Sequence, residues 1–354
     1  MVRLLIEKPY HTTSSYLYAL ARGGGFSAST GAIGKLASSF ARIHQLPRLE
    51  TIHLRFNPVY DNETFSDNEV CLSLQASILG ALAASFSARV PSKLTTLSLL
   101  NLRVSVPHPL EIFPLQTILP TLSCLQLSAV SDWAPNPDTF RDRWGYFWST
   151  LCPRIVPVQT QVTLTELTLH CSTLFVGVLD GLSLHELYFP HLAVLSLRNI
   201  VFSPIQGDED FVLRHAATLT RLELLTCKVL VDSNRRPSPA PSTYINLAGD
   251  VELSLRAHWD RIWDRFAAGL TALVKLDVDE RHFDGEYRYV HHRRDVGMYV
   301  VIYAVKSRNA ADVEALRRFR LAVAARSMEK DELWKGEAGP DSLVYQVEQF
   351  LRAF

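Results

Sequence analysis

One short pattern recurs along this 354-residue chain: an aliphatic residue at the first, fourth and sixth positions of a nine-residue stretch. The seven stretches are Leu49–Asn57, Leu94–Leu102, Leu122–Val130, Leu164–Ser172, Leu192–Ile200, Leu219–Cys227 and Leu273–Arg281. The fourth and sixth positions are two residues apart, so their side chains lie on one face of an extended strand. One such strand cannot bury its apolar edge alone, and the pattern therefore predicts units that stack and share a core.

The pattern and half of the spacings between the stretches are those of the leucine-rich repeat. Their first leucines follow one another at intervals of 45, 28, 42, 28, 27 and 54 residues. Three intervals fall within the range of about 20–29 residues known for this repeat, and the longer ones indicate convex-side insertions or missed degenerate units. We therefore predict an α/β fold, a leucine-rich-repeat solenoid with a curved parallel sheet on its concave side. Helices and loops form its convex side, and a helical cap closes its C-terminal end.

The boundaries of the solenoid follow from where the pattern begins and lapses. We expect an irregular solenoid over residues 1–285, in which the Pro- and Ser-rich residues 232–243 form a surface loop. Val2, Leu4 and Ile6 alternate like a strand of a further repeat. No polar capping unit precedes them, so we expect a truncated gene product or a chain that has lost a domain from its front.

The C-terminal part, residues 286–354, is expected to be a strand-plus-helix cap. Tyr287–Val290 and Met298–Val305 are predicted strands, with a hairpin around the basic residues His291–Arg294. Apolar residues at helical spacing predict a helix over Ala310–Arg326 and a last one within Asp341–Phe354.

Helices are also predicted between the strands. One follows Ser66–Glu69, a second begins after Asp138, a third begins at Asp208–Asp210, and a fourth carries an apolar stripe from Trp259 to Leu270. We expect the tryptophans of these helices to pack in the core rather than to form a binding stripe.

Composition excludes several classes of function. Lys+Arg and Asp+Glu both number 36, so there is no basic bias towards nucleic acid and no acidic tail. No apolar run of about 18 residues occurs, so we expect no membrane span. The five cysteines are scattered without a C-x-x-C pair, which indicates buried thiols in a reducing compartment, the cytoplasm or the nucleus.

Two consecutive stretches carry a resemblance to a known family. They read FPHLAVLSLRNI over Phe189–Ile200 and DFVLRHAATLTRLELLTC over Asp210–Cys227. This resembles the leucine-rich-repeat region of fungal F-box-like proteins, in which FPxLxxLxLxN precedes a short helix and HxxTLxxLxLxxC. The likeness is strongest over residues 185–230 and extends over residues 45–285.

The resemblance implies an intracellular interaction protein. Complete members often carry an N-terminal F-box that recruits a cullin-type ubiquitin ligase, while the repeats hold the substrate. Leu46–Glu50 is only faintly similar to an F-box opening and belongs to the first stretch, so we recognise no F-box here. We therefore predict a protein–protein interaction scaffold, the substrate-recognition region of an F-box-like adaptor without a recognisable F-box.

No catalytic constellation is apparent in the sequence. Gly34-Lys35 lacks the flanking residues of a phosphate loop, and neither G-x-S-x-G nor H-E-x-x-H occurs. The densest set of ligand-type residues falls on outward positions, where solvated charges are favoured over a weak divalent site. That set is Asp277, Asp279, Glu280, His282 and Asp284. We predict no enzymatic activity, catalytic residue, metal or cofactor.

The remaining candidate site is the concave face formed by the intervening polar positions. Its charge changes sign along its length and its donors mix with acceptors, which suits a protein or peptide ligand better than a polyanion. Arg and aromatic anchors usually dominate such contacts. The predicted partner-binding residues are Arg55, His170, Arg198 and Arg221. Two alternatives stay open: a leucine-rich-repeat regulator of a GTPase or another enzyme, and a fragment without independent function.

Overall fold

A computed structural model describes fifteen segments of the chain. They are residues 2–6, 34–35, 37–56, 65–91, 93–104, 115–130, 144–151, 163–171, 175–177, 181–203, 208–230, 258–279, 289–293, 298–302 and 309–335. The predicted loop at 232–243 and the predicted last helix in 341–354 lie outside these segments.

An α/β fold with a large parallel sheet is the main feature of the described residues. Its strands and those of a smaller sheet are β1 (Val2–Ile6), β2 (Leu49–Arg55), β3 (Thr96–Arg103), β4 (Cys124–Val130), β5 (Glu166–Cys171), β6 (Val194–Arg198), β7 (Val201–Phe202), β8 (Arg221–Leu225), β9 (Lys228–Leu230), β10 (Lys275–Val278), β11 (Tyr289–Arg293) and β12 (Met298–Ile302). The eight-stranded sheet has the order β1-β2-β3-β4-β5-β6-β8-β10, and every neighbouring pair is parallel. The predicted α/β class and parallel sheet are confirmed.

Each of the seven repeated stretches supplies one strand of this sheet. The fourth-position residues pair from strand to strand, as in Leu97↔Leu125 and Leu167↔Leu195, and the sixth-position residues pair in the same way. All seven first-position leucines are buried, and so are the sixth-position residues. The aliphatic pattern therefore fixes the register, because a shift of one residue would expose every leucine of a strand.

Hydroxyl groups at the second position of the stretches join neighbouring strands. The side chains of Thr95, Ser123, Thr165 and Thr220 each donate to a carbonyl at the second position of the preceding stretch, at 3.0–3.4 Å. Because the same carbonyl also accepts backbone N–H groups, these hydroxyls reinforce the backbone ladder where each strand begins.

The smaller sheet has the order β12-β11-β9-β7. Strands β7, β9 and β11 are parallel to one another, and β11 and β12 form an antiparallel hairpin. A hairpin was predicted at this place, with His291, His292 and Arg293 in its turn, but these three residues belong to strand β11. The hairpin therefore extends a small sheet whose other two strands, β7 and β9, follow β6 and β8 in the chain.

The helices pack against the leucine side of the large sheet. They are α1 (Phe65–Ala88), α2 (Leu115–Ile118), α3 (Asp208–Arg214), α4 (Trp259–Gly269) and α5 (Asn309–Lys335), and residues 144–151 are also helical. Trp144, Trp148, Trp259 and Trp263 are buried in one core cluster with the strand leucines. The prediction that these tryptophans are core residues is confirmed.

Helix α5 lies along α4 and holds both of its ends. Asp312 Oδ1 accepts the Asp260 N–H at 3.1 Å at the start of α4, and Arg326 Nη1 donates to the Leu270 carbonyl at 2.9 Å at its end. A carboxylate at the N-terminus and a guanidinium at the C-terminus both complement the dipole of α4. Arg320 also donates to the Val278 carbonyl of the outer strand β10 at 3.4 Å, so α5 closes this end of the sheet.

Candidate functional site

Alternate strand residues form three rows of side chains on the sheet face opposite the leucines, which we call the polar face. The first row holds Thr51, Thr96, Cys124, Glu166, Val194, Arg221 and Lys275. The second row holds His53, Ser98, Gln126, Thr168, Ser196, Glu223 and Asp277. The third row, towards the C-terminal ends of the strands, holds Arg55 and Leu100 and, beyond a register shift between β3 and β4, Ser128, His170, Arg198 and Leu225.

The four residues predicted to bind a partner all lie on the polar face, but only three of them are close together. His170, Arg198 and Arg221 lie on the consecutive strands β5, β6 and β8. Arg55 lies on β2, three strands away from β5, which corresponds to about 14 Å at the usual strand spacing. Arg55 and Arg198 are exposed, whereas His170 and Arg221 are half-buried.

A hydrogen-bonded chain joins these three strands. The Nε2 atom of His170 lies 2.9 Å from Ser196 Oγ, Ser196 is hydrogen-bonded to Glu223, and Glu223 forms an ion pair with Arg221. A serine has one proton to give, and the carboxylate only accepts. Ser196 therefore donates to Glu223 and accepts from an Nε2–H of His170. We call His170, Ser196, Arg198, Arg221 and Glu223 the polar cluster.

Burial and neighbouring charges set the protonation states in the polar cluster. Burial and, to a smaller extent, the adjacent Arg198 lower the pKa of His170 to about 4, although Glu223 acts in the opposite direction. Burial alone would raise the pKa of Glu223, but hydrogen bonds from Ser196 and Arg221 outweigh it and lower this pKa. At neutral pH the cluster therefore contains a neutral imidazole, a carboxylate neutralised by Arg221, and the exposed cation of Arg198.

The order of groups in the polar cluster does not fit nucleophilic catalysis. In a Ser–His–acid relay the imidazole lies between the hydroxyl and the carboxylate and takes the proton of the serine. Here Ser196 lies between His170 and Glu223, and its side chain is buried. The groups that reach solvent are guanidinium donors, so the chemistry available to the cluster is recognition by charge and hydrogen bonds.

Comparisons of the chain with models of known protein families, with curated proteins and with solved structures give no match. The side chains of the polar face are therefore the feature that bears on function. Sequence reasoning named His170, Arg198 and Arg221 but missed that Ser196 and Glu223 link them. The available signal was that Ser196 and Glu223 occupy the same fifth position of neighbouring stretches, which places them side by side.

Three polar residues of the stretches support the backbone. Asn101, Asn199 and Thr226, each at the eighth position of a stretch, have φ angles of 57°, 56° and 53°. The left-handed conformation turns the chain directly after β6 at Asn199 and directly after β8 at Thr226, whereas Asn101 lies within β3, where the register with β4 shifts. Asn101 Nδ2 donates to the Phe56 carbonyl at 3.0 Å, and Asn199 Nδ2 donates to the Cys171 carbonyl at 2.6 Å. These amides therefore hold the end of the preceding strand.

The described residues offer few groups that could bind a metal ion or react as a thiol. No group of three or more His, Cys, Asp or Glu side chains in them could hold a metal ion. Of the predicted ligand-type cluster, Asp277 lies in β10 and Asp279 directly follows it, and the other members lie outside the described segments. Burial raises the pKa of both Cys124 and Cys227 to about 12, so these thiols stay protonated and unreactive. None of the described helices is long and apolar enough to cross a membrane.

Proposed function

We propose that this chain is a leucine-rich-repeat solenoid that acts as a protein–protein interaction scaffold and holds a protein or peptide ligand on the polar face. The observation that carries the proposal is the registered repetition of the large sheet. Seven copies of one stretch place their aliphatic residues in the core, which leaves ordered rows of polar side chains on the other face. Repeat arrays use such extended faces for binding, because single positions vary without disturbing the core.

The F-box-like resemblance narrows the proposed role to substrate recognition for a ubiquitin ligase in the cytoplasm or the nucleus. The two motifs that carry the resemblance form one packed unit, which supports it. The Phe189 N–H donates to His215 Nε2 at 3.0 Å, and both residues are buried. Because no F-box is recognisable in the sequence, the proposal covers the holding of a substrate and not the recruitment of cullin-type components.

Photocrosslinking in cell lysate tests the proposed face. A benzoylphenylalanine in place of Thr168, in the second row at the middle of the sheet, is expected to form discrete protein adducts. The matched control carries the same group in place of Arg261, an exposed residue of α4 on the opposite side. Adducts that arise equally from both positions, or that survive Arg198→Glu with Arg221→Glu, would contradict binding at the polar face. Mass spectrometry of the adducts then shows whether ligase components accompany them.

A further inference from the structure

The sign of charge differs between the rows of the polar face. The first and second rows contain the carboxylates Glu166, Glu223 and Asp277 among their cations. From β2 to β8 the third row contains no acid, and its other members beside Arg55, His170 and Arg198 are uncharged. The row reaches an acid only at Asp279, the residue after β10. A ligand that follows the third row from β2 to β8 therefore meets two cations, Arg55 and Arg198, and no anion.

Arg198 is the cation of the third row that is open to a ligand. It is exposed, and no hydrogen bond or ion pair joins it to another residue within the described segments. Arg221, on the next strand, differs because Glu223 already neutralises it. The neighbour of Arg198 in the row is His170, which pairs with it across β5 and β6. A carboxylate placed on Arg198 would be held by the guanidinium, which binds carboxylates in a bidentate geometry.

We propose that the polar face selects an acidic peptide segment, which lies across the strands along the third row and places a carboxylate on Arg198. This inference rests on the proposed scaffold function and names the chemistry of its ligand. A second carboxylate reaches Arg55, which is exposed at the other end of the row. Leu100 and Leu225, both half-buried, offer apolar contacts beside the cations.

The geometry of the sheet sets the spacing of the acids in the ligand. Arg55 on β2 and Arg198 on β6 are four strands apart, which corresponds to about 19 Å at the usual strand spacing. An extended peptide advances about 3.3 Å per residue. Two Asp or Glu residues about six positions apart therefore match the two arginines.

A peptide selection tests the inference. Random dodecapeptides displayed on phage are selected on the immobilised chain and sequenced. We expect the recovered peptides to be enriched in pairs of Asp or Glu about six positions apart. The best synthetic peptide, measured by fluorescence anisotropy, should bind about tenfold more weakly to Arg198→Ala, because a charge-assisted bidentate contact is lost. Its affinity should also fall as the salt concentration rises.

Two control variants distinguish an effect of the third row on peptide affinity from an effect of the whole polar face or of the total charge. Lys275→Ala removes an exposed cation from the first row of the same face, and Arg261→Ala removes one from α4. Both should retain the affinity of the unaltered chain within about twofold, since neither side chain lies on the third row. Circular dichroism and thermal unfolding verify that Arg198→Ala, a change at an exposed side chain, keeps the fold.

The outcomes distinguish this inference from the scaffold proposal. Peptides without acidic residues, or peptides that bind Arg198→Ala as well as the unaltered chain, overturn the acidic-segment inference. If such peptides still suppress the photocrosslinks formed at Thr168, the scaffold proposal stands without it. If the selection yields no peptide, the acidic-segment inference is wrong, and the photocrosslinks alone decide the scaffold proposal.

Discussion

His215 shows how a single side chain is held in one protonation state by backbone groups. Its Nδ1 lies 2.7 Å from the Phe211 carbonyl, which only accepts, so Nδ1 bears the proton. Its Nε2 accepts the Phe189 N–H at 3.0 Å. A second proton would place two N–H groups against each other inside the core. Burial accordingly lowers the pKa of His215 to about 4.

The low pKa of His215 predicts a loss of stability in acid. The unfolded histidine takes up its proton near its ordinary pKa of 6.5, whereas the folded one does so near 4. The stabilisation is therefore complete above pH 6.5 and is lost as the pH falls towards 4. We expect His215→Gln to be less stable than the unaltered chain at pH 7, and this deficit to shrink by about 2 kcal/mol at pH 4.5. Urea unfolding at both pH values measures it.

The unaltered chain must be compared with His215→Gln because other groups titrate in the same pH range. His170 acts in the same direction as His215, since its pKa is also lowered to about 4. Asp208 acts in the opposite direction, because burial raises its pKa to about 6 and the folded chain then gains stability as that carboxyl is protonated. Both groups are present in both chains, so their effects cancel in the difference. A deficit that stays constant with pH would show that His215 does not titrate as inferred.

At the scale of elements, the two-ended capping of α4 by α5 is the contact with the clearest consequence. Asp312 is buried, its Oδ2 accepts the Tyr289 hydroxyl at 2.9 Å, and its Oδ1 accepts an N–H at the start of α4. We expect Asp312→Ala to lower the free energy of unfolding by about 2–3 kcal/mol, since it leaves a buried hydroxyl and a helix N–H without their acceptor. Glu314→Ala, two residues further along α5, is the control.

Urea unfolding of the two α5 variants distinguishes capping from a general effect of removing acids. Glu314 is exposed and pairs only with its helix neighbours Arg317 and Arg318 among the described residues, so its removal should leave the unfolding midpoint nearly unchanged. Equal midpoints for Asp312→Ala and Glu314→Ala would mean that α5 does not stabilise α4 through its first turn.

The strand ends provide a second element-scale prediction. Asn199 adopts a φ of 56° and holds the Cys171 carbonyl, so Asn199→Ala loses a buried hydrogen bond and also places an alanine in the left-handed region. Asn199→Gly loses the same hydrogen bond without the steric penalty. We expect both variants to be destabilised, with the glycine variant about 1 kcal/mol more stable than the alanine variant. Equal stability in chemical denaturation would show that backbone conformation does not select this residue.

These elements also show how far the sequence could be interpreted. The strands were predictable because leucines two residues apart determine which face is buried, whatever the neighbouring strand is. The turn role of Asn199 was not, because alternation between faces ends where the strand ends, and its partner Cys171 lies 28 residues away. The link from Asp312 to Asp260 spans 52 residues. It depends on how α5 docks on α4, which the sequence pattern of neither helix predicts.

At the scale of the whole molecule, one core runs through the described residues from Phe40 to Val323. Each strand of the large sheet has neighbours on both sides except at the two ends of the order. A side chain at the same repeat position is therefore not equally buried everywhere. Leu195 on β6 is fully buried between β5 and β8, whereas Leu276 on the outer strand β10 is half-buried.

This difference predicts that the same substitution has unequal costs along the sheet. Leu195→Ala removes a fully packed side chain and leaves a cavity, for which we expect a loss of about 3–4 kcal/mol in the free energy of unfolding. Leu276→Ala should cost about half as much, because part of its surface already contacts solvent. Urea unfolding at neutral pH measures both. Equal losses would mean that the described edge of the sheet is packed as tightly as its middle, and that more of the chain covers β10 than α5 alone.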